Sequence, residues 1–122
     1  MNTLPKSERL KGKAAVSALM SKGRWGLAKS LKYCYLLRDE DGEEPSSNRI
    51  LVSVPKKLFK RAVKRNLLKR RLREAYRTQK DLLPPCGADL MFIYNCTEEL
   101  PFASVRDQVA TVLRKIGDER QL

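Results

Sequence analysis

Residues 56–80, KKLFKRAVKRNLLKRRLREAYRTQK, hold twelve Lys/Arg and a single acid, Glu74, so this stretch carries +11 of the chain's +12 net charge. A segment like this folds only if its apolar residues gather on one side and leave the charge in water. From Leu67 onward they do. Leu68, Leu72, Ala75 and Tyr76 recur at three- and four-residue spacing and make one helical stripe. Lys69, Arg73 and Arg77 repeat every four residues on another face, flanked by Arg70 and Lys80. On one straight helix Arg61, Lys64 and Arg65 would point into the sector of Leu68 and Leu72. The spacing therefore predicts a loop or entry turn over 56–60 and a helix established near 62–66.

Arg65, Asn66 and Lys69 then lie near the helix N-terminus, where open N–H groups and a partial positive charge favour phosphate. A polycationic element on a nearly neutral frame points to a polyanionic partner held by phosphate contacts and counterion release. Arginine adds planar bidentate donors, and the amide of Asn66 both donates and accepts, as a sugar or base edge requires. Two blander readings compete. Charge for solubility needs only a modest net value with both signs mixed. A membrane-surface helix is poorly served by Asn66 and dense arginine.

The frame around this helix reads as strands. Residues 24–28 form a short edge strand, and 31–38, LKYCYLLR, a stronger one with Tyr33, Tyr35 and Leu37 on one face and Cys34 and Leu36 on the other. Residues 39–48, DEDGEEPSSN, are an acidic surface loop without the ligand spacing of a calcium site. Residues 49–54 pair back, and Pro55 ends that strand. Residues 89–94, DLMFIY, are the almost unbroken apolar run of a strand covered on both sides.

Two further helices bracket the strands. Ser7 is expected to cap the first, after a loosely docked arm over 1–6, with Leu10, Ala14, Val16, Ala18, Leu19 and Met20 as its rough apolar face and Gly23 as its stop. The last starts by Pro101, buries Phe102, Val105, Val109, Val112, Leu113 and Ile116, and ends at Gly117. The reading is an α+β fold, a single domain over 1–122 with an about four-stranded mixed sheet. Its order is α-β-β-β-α-β-α, with the basic helix as a crossover.

Several function classes drop out. The chain has no histidine, which removes cysteine–histidine zinc sites and serine–histidine triads. Cys34, Cys86 and Cys96 lack metal-ligand spacing and read as reduced thiols. No apolar run approaches the ~20 residues of a membrane span, and the amino end carries no apolar signal region, so a cytoplasmic protein is expected. Proton transfer needs a positioned acid–base group near neutral pH, and none is legible. The catalytic and metal sites expected of the chain itself are none.

The run 65–75, RNLLKRRLREA, resembles the arginine–asparagine–arginine signature of the bacterial ribonuclease P protein component family. Residues 50–57, ILVSVPKK, are similar to that family's strand ending in a lysine pair, and 4–10, LPKSERL, to its opening. The resemblance implies an endoribonuclease whose RNA subunit, with magnesium held through RNA, performs catalysis. The protein would bind that RNA and the 5′ leader of precursor tRNA, as a monomer in a 1:1 complex and with no membrane. By matching position, Lys56, Lys57, Arg61, Arg65, Asn66, Lys69, Arg70 and Arg73 would contact RNA, and Leu68 and Leu72 would anchor the helix.

The resemblance also implies a leader cleft beside the first helix, with Val16 and Met20 where the family often places aromatics and one of Tyr33 and Tyr35 lining it. From the residues alone, those tyrosines either stack bases or pack in the core. The entry between Lys57 and Arg65 departs from the family: it contains Phe59, lacks the common glycine and is one residue longer. The alternative function is a non-enzymatic, ribosome-associated RNA-binding module. A helix-turn-helix DNA binder fits the strand-rich frame badly.

Overall fold

A computed structural model of the chain describes residues 4–38 and 47–120. The acidic loop therefore lies, over 39–46, outside the described residues, as does the start of the amino-terminal arm over 1–3. Three helices and four strands follow in the expected order: α1 (Lys13–Lys22), β1 (Arg24–Ala28), β2 (Leu31–Leu37), β3 (Arg49–Ser53), α2 (Ala62–Arg77), β4 (Ala88–Tyr94) and α3 (Phe102–Arg120). The sheet runs β1-β2-β4-β3, so residues 49–54 do not pair back on β2 as the sequence suggested: β4, arriving through the α2 crossover, lies between β2 and β3 and pairs with both. β1 with β2 and β2 with β4 are antiparallel, while β3 and β4 are parallel and joined by α2 as the crossover. β4, paired on both edges, is buried at every position except Ile93, which is half-buried.

Strand alternation divides the apolar side chains between two faces. On one face Tyr33, Tyr35, Ile50, Val52, Leu90, Phe92 and Tyr94 meet Leu68, Leu72, Ala75 and Tyr76 of α2 and Val105, Val109, Val112, Leu113 and Ile116 of α3. On the other, Cys34 and Met91 pack with Leu10 and Leu19, and Ala15, Val16, Leu36, Leu51 and Ile93 close around them half-buried. Leu68 and Leu72 are fully buried, and burying a leucine side chain stabilises by about 1.5–3 kcal/mol. The spacing predicted this stripe residue for residue.

The first helix begins later than Ser7 predicts. Lys6–Glu8 form one 3-10 turn with no side-chain cap, and α1 starts after Gly12, whose φ of 95° suits glycine. The cause lies in the sheet. The edge of β3 captures the chain first, because Arg9 bridges Ile50 in parallel and the Leu10 N–H donates to the Ile50 carbonyl at 2.8 Å. Gly23 does stop α1, donating to the Leu19 carbonyl at 2.9 Å. A Cβ there would sit 2.5 Å from Cys34 Sγ, so the close approach of helix and sheet requires glycine.

At the other end, Gly117 does not stop α3. The helix runs through it to Arg120, because one helical glycine costs only about 1 kcal/mol and Ile116 keeps the helix docked. Phe102, at the first position of α3, is 38% exposed and lies outside the core.

Polar groups tie the sheet to its connections. Asp89 is buried in β4 and receives Arg38 from the end of β2 and both Nε and Nη2 of Arg49 from β3, the latter at 2.8 and 2.9 Å. Asn48 is buried as well. Its amide donates to the Leu83 carbonyl at 3.1 Å, and its Oδ1 accepts the N–H groups of Cys86 and Ala88 at 3.0 and 3.1 Å. The segment between α2 and β4 is thereby laced to the start of β3.

Candidate nucleic-acid interface

The helix α2 starts at Ala62, as its phase predicts, with Arg61 in extended conformation before it, no side-chain cap and no acid in its first turn. Its N-terminal N–H groups are therefore left for an external acceptor. The entry turn is fixed from within. Arg65 Nη1 donates to the carbonyls of Phe59 and Lys60, both at 2.8 Å, so this arginine shapes the loop that carries the lysines. Phe59 packs edge-on against Tyr94, with ring centroids 5.5 Å apart. Phe59 thus anchors the turn to the core.

The cations of 56–80 fall into two groups. Lys64 pairs with Glu99 at 2.9 Å, and Arg71 donates to the Leu100 carbonyl at 2.8 Å beside the same carboxylate. Arg77 pairs with Glu74, and Lys80 with Glu8. These four belong to the fold, and their partners hold Glu74 and Glu99 below the usual carboxylate range through hydrogen bonds from Arg77 and Lys64. In contrast, Lys56, Lys57, Arg61, Asn66, Lys69, Arg70 and Arg73 make no side-chain hydrogen bond or ion pair among the described residues. All but the half-buried Lys69 are exposed.

The structure therefore brings together, on one element and its entry turn, every basic position that the sequence motif singles out. Arg65 is the member with a second duty, holding the loop. Lys60 was missed by the motif. It is exposed beside Arg61 and has no side-chain partner among the described residues.

The leader-cleft candidates are not brought together. Tyr33 and Tyr35 are each only 5% exposed and face α3, where the Tyr35 hydroxyl donates to Glu119. Burial, followed by the effect of Glu119, raises both phenol pKa values above the usual one. Val16 and Met20 lie on α1, which packs on the opposite face of the sheet, with Met20 51% exposed. Strand alternation predicts that the two tyrosines share a face. It does not say which face the last helix covers.

Nothing among the described residues forms a reactive centre. Cys34 is buried and donates its thiol to the Leu19 carbonyl, and burial pushes it up to about 11, so it stays protonated and inert. All three cysteines are free thiols. Among the described residues no group of three or more Cys, Asp or Glu is placed to hold a metal ion, and no helix is long and apolar enough to cross a membrane.

Comparison with known proteins fits this geometry. The family model described as Ribonuclease P matches residues 4–117. The ribonuclease P protein component of Porphyromonas gingivalis is 45% identical over 80 residues, covering 66% of this chain and 57% of that protein. That of Petrotoga mobilis is 32% identical over 119 residues, covering 93% and 95%. The match spans little more than half the length of the Porphyromonas gingivalis relative, and 54% of that from Chlorobaculum tepidum. Among solved structures, the Staphylococcus aureus RNase P protein superposes with a TM-score of 0.74 at 23% identity, covering 91% of this chain and 96% of that one. The Thermotoga maritima RNase P protein gives 0.73 at 24%, covering 88% and 96%. At that identity the two structures speak for the fold.

Proposed function

The chain belongs to the ribonuclease P protein family, and from that premise we propose that it is the protein subunit of ribonuclease P, assisting RNA-catalysed removal of the 5′ leader from precursor tRNA. The observation that carries this reading is the sorting of cations along 56–80. Lys64, Arg71, Arg77 and Lys80 are spent on internal partners, while Lys56, Lys57, Arg61, Lys69, Arg70 and Arg73 have none among the described residues.

Catalytic RNA and precursor tRNA are both polyanions, and bringing them together is opposed by their charge. A cationic helix between them offsets that repulsion and releases counterions from each phosphate it neutralises. Arg65 fixes the entry turn, so Lys56, Lys57 and Arg61 are held in place before RNA arrives, which lowers the ordering cost of binding. Asn66, exposed one turn into the helix, is placed to reach a sugar or base edge. The reacting metal ions, expected to be magnesium, are held by RNA in this reading. The protein acts in the cytoplasm as a monomer in a 1:1 complex, and Val16 and Met20 on α1 border the leader.

The test is reconstitution. Added to a bacterial ribonuclease P RNA at low magnesium, the protein is expected to accelerate cleavage of a precursor tRNA carrying a 5′ leader. Without the RNA it is expected to cleave nothing. Binding to RNA with no acceleration would instead support the ribosome-associated module, which uses the same helix without processing.

A further inference from the structure

The surface of α2 is divided by sign. At about 100° per residue, Lys69, Arg73, Asn66 and Arg70 sweep roughly 100° of its circumference, starting beside the buried Tyr76. Glu74, Leu67, Arg71 and Lys64 occupy the other flank, which runs round to the buried Ala75. The first flank continues without an acid: Arg73 shares a hollow of ≈ 400 Å³ with Arg9 and Lys11, which precede α1, and with Ile50 and Val52 of β3, and no carboxylate lines it. The second flank is bounded by carboxylates. Glu74 holds Arg77, and Glu99, from the connection between β4 and α3, takes Lys64 at 2.9 Å and lies 3.7 Å from Arg71.

Glu99 is held in place from beneath. The hydroxyl of the fully buried Tyr94 donates to the Glu98 carbonyl at 2.6 Å and accepts the Leu100 N–H at 2.7 Å, so the backbone on both sides of Glu99 is fixed. Arg71 adds a third tie by donating to the Leu100 carbonyl at 2.8 Å. The carboxylate itself stays at the rim, its side chain 37% exposed, and the hydrogen bond from Lys64 keeps it ionised.

An exposed ion pair adds little to stability, but a fixed carboxylate beside a basic helix acts strongly on a polyanion. It withdraws Lys64 and Arg71 as phosphate ligands, and it repels any phosphate brought over that flank. Like charges set against each other suppress wrong partners more than they change the affinity of the right one.

We propose that Glu99 is a specificity-determining residue that closes the α3 flank of the basic helix to RNA. Only an RNA whose backbone runs from the entry turn across Lys69, Arg70 and Arg73 towards β3 then finds its full set of phosphate contacts. This rests on the reading of the chain as a ribonuclease P subunit, and adds the means by which a chain of net charge +12 discriminates against other RNA. Cognate RNA lies away from Glu99 and is little affected by it. Non-cognate RNA settles on the helix from every side and meets it.

The test compares affinity for a bacterial ribonuclease P RNA with that for an RNA of the same length and scrambled sequence, over a range of salt concentrations. The parent is expected to prefer the first. Glu99→Gln keeps the shape but not the charge. It is expected to tighten binding of the scrambled RNA by about 3- to 10-fold at low salt, and of ribonuclease P RNA by less than about 2-fold. Glu99→Asp keeps the charge and is expected to keep the parent's ratio of affinities. The gap between Glu99→Gln and the parent is expected to narrow as salt rises, because exposed charges are screened, whereas a purely structural ion pair would leave the ratio unmoved at every salt. An unchanged ratio in Glu99→Gln overturns the border and leaves the subunit reading intact. A parent that binds both RNAs equally overturns both.

Discussion

Replacing Asp89 with alanine is expected to lower stability by about 3–5 kcal/mol, the cost of breaking a buried ion pair by removing one partner. The Asp89 side chain is 4% exposed, and the side chains of Arg38 and Arg49 that close on it are 17% and 32% exposed, so the cluster is largely withdrawn from water. Without the acid, two positive charges remain beside the central strand with less to offset their desolvation, although Arg38 still donates to the Ser47 carbonyl. For a chain of this size the loss corresponds to roughly 10–25 °C in the thermal midpoint. Asp89→Asn keeps the shape and part of the hydrogen bonding and is expected to fall between parent and alanine. Adding Arg38→Met and Arg49→Met to an Asp89→Leu background is expected to recover most of the loss, because a well-packed apolar replacement relieves the desolvation. Equal melting of Asp89→Ala and parent would show that this cluster does not hold the sheet.

Removing Lys69, Arg70 and Arg73 together is expected to act on RNA binding and leave the fold alone. These side chains have no internal partner among the described residues, and alanine favours the helix, so thermal stability should stay within about 0.5 kcal/mol of the parent. Each phosphate contact contributes about 0.7–0.9 to the slope of log affinity against log salt. The triple variant should therefore bind ribonuclease P RNA with a slope shallower by roughly 2–3. Removing Lys64 and Arg71 offers the contrast, since both are engaged with the segment around Glu99. That pair should change the slope by less than about 1 and cost stability instead. An unchanged slope in the triple variant would remove the helix face from the interface.

The buried side of α2 was legible because its four residues are local in sequence: a 3.6-residue period fixes Leu68, Leu72, Ala75 and Tyr76 without knowledge of what they pack against. The apolar run of β4 was legible for the same reason. Long-range choices were not. The start of α1 depends on the edge of β3 claiming Arg9 and Leu10, and the burial of Tyr33 and Tyr35 depends on which face α3 covers. Neither is written in a local period. The Asp89 cluster joins residues 40 or more positions apart, and Asn48, read as the last residue of a solvated loop, is a buried junction.

The binding side shows the same division. The motif located the cations, but not that Arg65 folds back on the carbonyls of Phe59 and Lys60, nor that Lys60 joins the exposed set. Alternation puts Trp25 and Leu27 on one face of β1, but their exposure depends on how far α1 covers that face, which no local period states.

The most direct test of the central claim is a lysine-acylation footprint of the protein alone and bound to ribonuclease P RNA without substrate. In the complex, Lys56, Lys57, Lys60 and Lys69 should be protected from the reagent, while Lys29 and Lys115, exposed near the β1 edge of the sheet, should react as they do in the free protein. Full reactivity of the first four in the saturated complex would contradict the assignment of this helix and its entry turn to the RNA.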